Sequence, residues 1–208
     1  RGRSLRRSSG LIDTREGLTG ERKGIACGGV AVGDRVTFEF PEGYNTEEEL
    51  VIDPNLIFGS YTGSAADNFG FTATYDTSGN LFGGGIVFGV GAYPTTMGAF
   101  QSTFQGGGAV PFGSGFDMGI TKFNPTGTAL VWSTYIGGTL DNEQPQSLIT
   151  TENGDLYIYG RSFSTDYPTT PGAYQTVLSG GSDIVVTKFN ASGTLARSTF
   201  VGGTSNDG

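Results

Sequence analysis

The chain has 208 residues, 37 of them glycine, with 12% aromatic and 15% charged residues and a net charge of -8. Glycine at that level without a Gly-X-Y period excludes a collagen triple helix. The aromatic share excludes a disordered chain, and no apolar run reaches the ~20 residues of a membrane-spanning helix. Residues 1–23 hold seven of the twelve basic residues and three acids, including Arg1, Arg3, Arg6, Arg7 and Arg15. The remainder carries five basic and seventeen acidic residues. An acidic body repels phosphate, so nucleic acid is not an expected partner.

In chain order, residues 1–23 give no strand pattern and read as a poorly ordered or truncated segment. Residues 24–55 read as the closing strands of a preceding β-domain. Cys27 lies in the apolar stretch GIACGGV, a small hydrophobe that has no disulfide partner within the chain. Arg35–Phe40 (RVTFEF) alternates as a half-buried strand does. PEGYNTEEE is a polar turn, and LVIDP is a second strand.

Residues 56–208 repeat themselves. SYTGSAADN (60–68) aligns with TYIGGTLDN (134–142) and TFVGGTSND (199–207). YPTTMGAFQ (93–101) aligns with YPTTPGAYQ (167–175), and TKFN recurs at 121–124 and 187–190. Each copy divides into four short strands. They are FTATYD, NLFGGGIV, DMGITKFN and ALVWSTYIG, then QSLITT, DLYIYGRS, DIVVTKFN and TLARSTFVG. Asn124-Pro125-Thr126-Gly127, Asn190-Ala191-Ser192-Gly193 and Asp76-Thr77-Ser78-Gly79 follow a type I turn template, and Thr151-Glu152-Asn153-Gly154 follows it in part. Strands one and two, and three and four, therefore form hairpins. The prolines of STDYPTTPGAYQ keep the link between strands two and three out of a central strand. DIVVTKFN and LYIY are nearly continuous apolar runs, the mark of sheets covered on both faces.

A four-stranded antiparallel unit repeated in this way fits the blades of a β-propeller. A β-sandwich or a stacked β-solenoid shares some of these features, but the even four-strand register favours the propeller. The expected fold is all-β, with about two blades of an incomplete propeller packed face to face. The blades span about 69–137 and 144–202, and a further blade begins at 203–208. The chain reads as a piece of a longer protein, with further blades of the same chain among its partners.

Taken together, WSTYIGG…DN, GDLYIYGRS, TDYPTTPGAYQ and DIVVTKFNASGTL resemble the bacterial β-propeller repeat family known as SBBP. LVIDPNLIFGSYTG resembles the junction that leads into the first repeat of such proteins. VTFEFPEGYN is similar to the end of the domain that often precedes it. The resemblance covers roughly residues 35–208. The first copy departs from the pattern, with a glycine-rich NLFGGGIV in its second strand. The resemblance implies a large secreted or surface-anchored bacterial protein. Relatives often carry C-terminal modules tied to type IX secretion and gliding motility. It supplies no catalytic residue.

The residues restrict the chemistry further. There is no histidine, which removes Ser-His-Asp triads and His-ligated zinc from this chain. One cysteine removes clustered thiolate sites. Paired carboxylates remain formally open to an enzyme. Asp67, Asp141 and Asp207 recur after a glycine turn. Their oxygens suit either Ca²⁺ or an Asx-type turn, and the turn is the expectation because no dense ligand set surrounds them. Gly83–Gly85 and GGGAVPFGSG (106–115) lack the Lys-Ser/Thr of a phosphate loop and read as a close-packed strand and a loop. Trp132, Tyr135, Phe123, Phe189 and Phe200 read as core between blades rather than a sugar-stacking platform. Phe112 and Phe116 are the exposed loop aromatics expected to meet a partner.

No catalytic, cofactor-binding or metal-binding residue is therefore expected. The expected function is a non-catalytic scaffold or binding module, outside the cell or on the bacterial surface, with a surface protein or glycan as ligand. The alternative is part of a propeller-type carbohydrate-active enzyme, a hydrolase or lyase whose site is completed by other blades.

Overall fold

Four tetrapeptides ending in glycine close the hairpins of residues 58–208. The amide of Gly79 donates to the Asp76 carbonyl, Gly127 to Asn124, Gly154 to Thr151 and Gly193 to Asn190, all at 3.0 or 2.9 Å. Each of these glycines has positive φ, between 68° and 83°. A side chain there is strained by ~1–2 kcal/mol. Gly154→Ala, which meets no atom closer than 3.5 Å, is therefore expected to lower stability by about 1 kcal/mol through backbone strain alone. Urea denaturation measures that cost, and an unchanged midpoint would contradict it.

The computed structural model describes residues 8–16, 21–32, 35–39, 43, 46, 50–51, 58–89, 91–106 and 115–208. It divides into two units, Arg1–Ile57 and Phe58–Gly208. All secondary structure among the described residues is β. No helix among them is long and apolar enough to cross a membrane.

The first unit is an antiparallel sheet of β1 (Ser8–Glu16), β2 (Glu21–Val32), β3 (Arg35–Glu39) and β4 (Leu50–Val51), in the order β3-β2-β1-β4. β1 and the start of β2 lie in residues 1–23, where the sequence pattern shows no strand. Their signal is backbone pairing: every residue from Ser8 to Glu16 pairs with one from Gly29 to Glu21. A side-chain periodicity does not register that ladder. Cys27 falls in β2, opposite Gly10.

The second unit holds two antiparallel four-stranded sheets. The first contains β5 (Asn68–Tyr75), β6 (Leu81–Phe88), β7 (Phe116–Phe123) and β8 (Leu130–Ile136). The second contains β9 (Glu143–Thr150), β10 (Leu156–Ser162), β11 (Asp183–Phe189) and β12 (Leu195–Val201). In each, sequence neighbours are sheet neighbours, as expected of a blade-like repeat. The two sheets pack face to face, with β9 crossing β5, β6 and β7.

Their shared core contains Phe82, Met118, Ile120, Trp132 and Ile136 from the first sheet. Leu148, Leu156, Ile158, Val185, Phe189 and Phe200 come from the second. Burial of each such side chain contributes about 1.5–3 kcal/mol. Trp132 and Phe189 meet at 5.8 Å between centroids, and Phe82 meets Trp132 edge-on at 5.9 Å. Trp132, Phe189 and Phe200 thus lie in the core between the sheets. Tyr135 belongs to a second cluster with Ala66, Val87 and Tyr93, and Phe123 is buried.

The continuous apolar runs behave differently in the two sheets. β7 is buried on both faces, whereas β10 and β11 alternate between buried and more exposed residues. Among the described residues of 58–208 no second sheet covers the far face of β9–β12. An apolar run shows what a strand is able to bury, and only a neighbouring sheet makes it buried.

Candidate functional site

The repeated strings are used twice, in the same way, at the ends of the strands. Thr96 in the first YPTT string donates its amide to the Ser133 carbonyl at 3.1 Å, and Thr170 does the same to Ser198. The glutamine that closes each string then clamps the start of strand three to the end of strand four. Gln101 Oε1 accepts from the Gly137 amide at 3.1 Å, and its Nε2 donates to Asp117 Oδ2 at 3.3 Å. Gln175 Oε1 accepts from Gly202 at 3.0 Å, and its Nε2 donates to Asp183 Oδ2 at 2.8 Å. Each aspartate takes one more amide, from Gln105 or from Ser179. Both aspartates are fully buried, and the Oδ1 of each has no hydrogen-bond donor among the described residues.

The first of these clamps lies at the junction of the two sheets. Glu143, the first residue of β9, is fully buried beside it. Its Oε1 accepts from Ser162 Oγ at 2.8 Å, and its Oε2 accepts from the Gly138 amide at 3.2 Å. A Cβ on Gly137 would collide with both Asp117 Oδ1 and Glu143 Oε2, so glycine is required where the two carboxyl groups converge. Desolvation pushes the Asp117 carboxyl up to about 7, with the charge of Asp166 adding to the shift. Desolvation pushes Glu143 up to about 8, with the charge of Asp117 adding to it. Asp166 stands at the rim, where both of its oxygens accept from the Thr139 amide at 3.0 Å. A concavity of about 230 Å³ opens there, bounded by Phe100, Gln105, Gly138, Thr139, Asp166 and Pro168.

Sequence reasoning missed Gln101, Gln175, Asp117, Asp183 and Glu143 as a set. Four of them stand at fixed places in the repeated strings, so repetition was the available signal. Glu143 has no such signal, because Asn68 occupies its register position in the first sheet: Asn68 pairs with Val87 as Glu143 pairs with Ser162.

The recurring aspartates do not share one role. Asp141 Oδ1 accepts from the amide and the side-chain nitrogen of Asn142, both at 2.9 Å, one residue on rather than the two of an Asx turn. Asp207 Oδ2 accepts from the upstream Gly203 amide at 2.7 Å. Asp67 is exposed, and its backbone carbonyl accepts from Phe88. Among the described residues, no three His, Cys, Asp or Glu side chains form a group able to hold a metal ion.

Of the two proposed partner-binding aromatics, Phe112 lies outside the described residues. Phe116 is a strand residue rather than a loop residue. It opens β7, is half-buried, and meets Phe88 edge-on at 5.6 Å. Phe116 pairs with Phe88 across the sheet, and its amide donates to Asn142 Oδ1 at 2.9 Å. Gly83–Gly85 lie within β6. Gly84 sits under Leu148, and Gly85 faces the Phe69 carbonyl beside the bulge at Gly70 and Thr72, so the segment is a close-packed strand.

No protein-family model matches the chain, and no curated protein matches it.

Proposed function

We propose that this chain is a non-catalytic scaffold or binding module of a secreted or bacterial cell-surface protein, built from propeller-type repeats of the kind the SBBP resemblance implies. One observation carries the reading: both copies use their shared Gln, Asp, Thr and Gly residues for the same hydrogen bonds at the strand ends. An active site needs one set of groups, and a set repeated in each unit to hold strand ends serves architecture. The surface meanwhile presents Tyr61, Phe69, Tyr75 and Tyr174, side chains suited to contact with a surface protein or a glycan. A role in adhesion or gliding-related surface function belongs to the same proposal.

The alternative, part of a carbohydrate-active hydrolase or lyase, has one observation in its favour. Asp117 and Glu143 are neighbouring acids with raised pKa, the pairing that glycoside hydrolysis uses. Both are fully buried, and their bonded oxygens hold backbone and side-chain donors of the junction. A sugar ring has no access to them, which supports the scaffold reading.

The test is incubation of the purified chain with a panel of polysaccharides. The expected result is retention of the chain on a glycan or on intact bacterial cells without turnover. Turnover that survives purification and disappears in Glu143→Gln would overturn the scaffold reading in favour of the enzyme.

A further inference from the structure

The two sheets of residues 58–208 share one register, so their faces compare row by row. Phe82 pairs with Lys122 as Tyr157 pairs with Lys188, and Gly84 pairs with Ile120 as Tyr159 pairs with Val186. The lysines repeat too: Lys122 Nζ lies 4.8 Å over the Phe82 ring and Lys188 Nζ 5.3 Å over Tyr157. In β5–β8 this face is buried against β9–β12, and Phe82 and Ile120 are fully buried. Among the described residues of 58–208 no sheet covers the equivalent face of β9–β12. There Tyr157 is 39% exposed, Tyr159 42% and Ile149 63%. An apolar groove of about 400 Å³ runs along that face.

The opposite faces compare in the same way. β9–β12 meets its partner sheet through Leu148 and Ile158, which pair with each other. The equivalent pair on the outer face of β5–β8 is Ala73 and Gly83. Where the buried interface has two aliphatic projections, this face has a groove of about 240 Å³, lined by Ala73, Gly83, Thr121 and Val87 among others.

Size is thus exchanged between the two kinds of face. In the buried interface the hollow is Gly84 and the projection is Leu148: a Cβ on Gly84 would lie 3.2 Å from Leu148 Cδ1. On the faces that no described sheet covers, the hollow's position holds Tyr159, and the projections' positions hold Ala73 and Gly83; on the second of these faces Gly119 lies under Tyr93, so only the β5–β6 half is open. Each uncovered face is mismatched to the surface its counterpart meets inside the molecule, and is matched to the other uncovered face. Close-packed interfaces require such compensation.

We propose that copies of this chain dock head to tail, with the Tyr157–Tyr159 face of one copy seated on the Ala73–Gly83 groove of the next. The proposal rests on the reading of the sheets as blades that pack face to face. The contact is heterologous, so each dimer keeps one free face of each kind, and association continues into a ring or an open chain.

Sedimentation velocity of the 208-residue protein from about 1 to about 100 µM, the range in which a micromolar Kd is read, tests it. The parent chain forms species larger than the monomer. Tyr159→Gly and Ala73→Leu each weaken association at least tenfold. Both positions are exposed, and Trp132 emission reports that the variants remain folded. An equimolar mixture of the two folded variants recovers association, because each supplies an intact face to the other and the two substitutions together set a leucine opposite a glycine, as Leu148 stands opposite Gly84 in the buried interface. A parent that stays monomeric throughout, leaving these faces to a different β-sheet partner, overturns the proposal. So does a pair of variants that associate as the parent does, or a mixture that stays monomeric. Leu148→Asp separates the two levels. Unchanged stability in that variant overturns blade packing itself, whereas a monomeric parent that still depends on Leu148 overturns only the docking.

Discussion

Replacing Phe189 with alanine is expected to lower the stability of residues 58–208 by about 3–5 kcal/mol, the cost of removing a fully buried aromatic ring from a core. Phe189 is fully buried and packs on Trp132 at 5.8 Å and edge-on to Phe100 at 6.0 Å, so its ring holds aromatic groups from the neighbouring repeat. Little else can fill the space, because Trp132 is itself pinned by a hydrogen bond from its Nε1 to the Ala191 carbonyl at 3.2 Å. Trp132 is the single tryptophan of the chain, so its emission reports the joint between the sheets directly. Urea unfolding followed at that emission gives the measurement. A loss below about 1 kcal/mol would show that the joint does not depend on this core.

The second large effect is on the pH dependence of stability. Asp117 and Glu143 are raised from 3.8 and 4.5 to about 7 and about 8 in the folded protein. Between about pH 4 and pH 8 the folded state therefore binds more protons than the unfolded state. Unfolding free energy falls as pH rises through that window. The contribution is fully present below the unfolded pKa values and is lost once both groups have ionised. For Glu143 alone the loss is on the order of 3–5 kcal/mol. The groups facing the pair act in the same direction, since the charge of Asp166 raises Asp117 and the charge of Asp117 raises Glu143.

Asp76 works the other way. Burial opposes its ionisation, but hydrogen bonds from Asn80 and the Lys122 ammonium at 3.1 Å outweigh burial and hold it below the ordinary value. Its contribution is lost as pH falls below about 4. Stability of this unit is thus expected to peak near pH 4–5 and to decline towards pH 8. Glu143→Gln keeps an acceptor for the Gly138 amide and an amide group beside Ser162 Oγ, and it cannot ionise. It is expected to flatten the decline and to exceed the parent in stability at pH 8. Urea midpoints at Trp132 from pH 4 to pH 9 decide the matter. A Gln variant less stable than the parent at pH 8, with the decline intact, would show that the carboxyl pair is not its origin.

The strands and their turns were legible in the residues. NLFGGGIV, DMGITKFN and DIVVTKFN lie within one residue of β6, β7 and β11. The reason is local: a turn ending in a glycine with positive φ stops a strand wherever it occurs, whatever packs on the strand later. The repeated strings also announced that the two sheets share one construction, because identical hydrogen bonds need identical residues at identical offsets.

Three features were not legible, because each depends on residues brought together from distant parts of the chain. Phe116 reads as a loop aromatic until Phe88 packs on it and Asn142, twenty-six residues away, takes its amide. Glu143 carries no signal in TLDNEQ, and only β9 brings it into the junction with Asp117. DLYIYGRS reads as a strand covered on both faces, yet a sheet is covered only where another sheet lies on it, and that is a property of the neighbour's position. Strand, turn and repeat follow from bonds made within a few residues or a fixed offset. Which face is buried, and which carboxyl keeps its proton, follow from desolvation, which is set only when the two sheets close on each other.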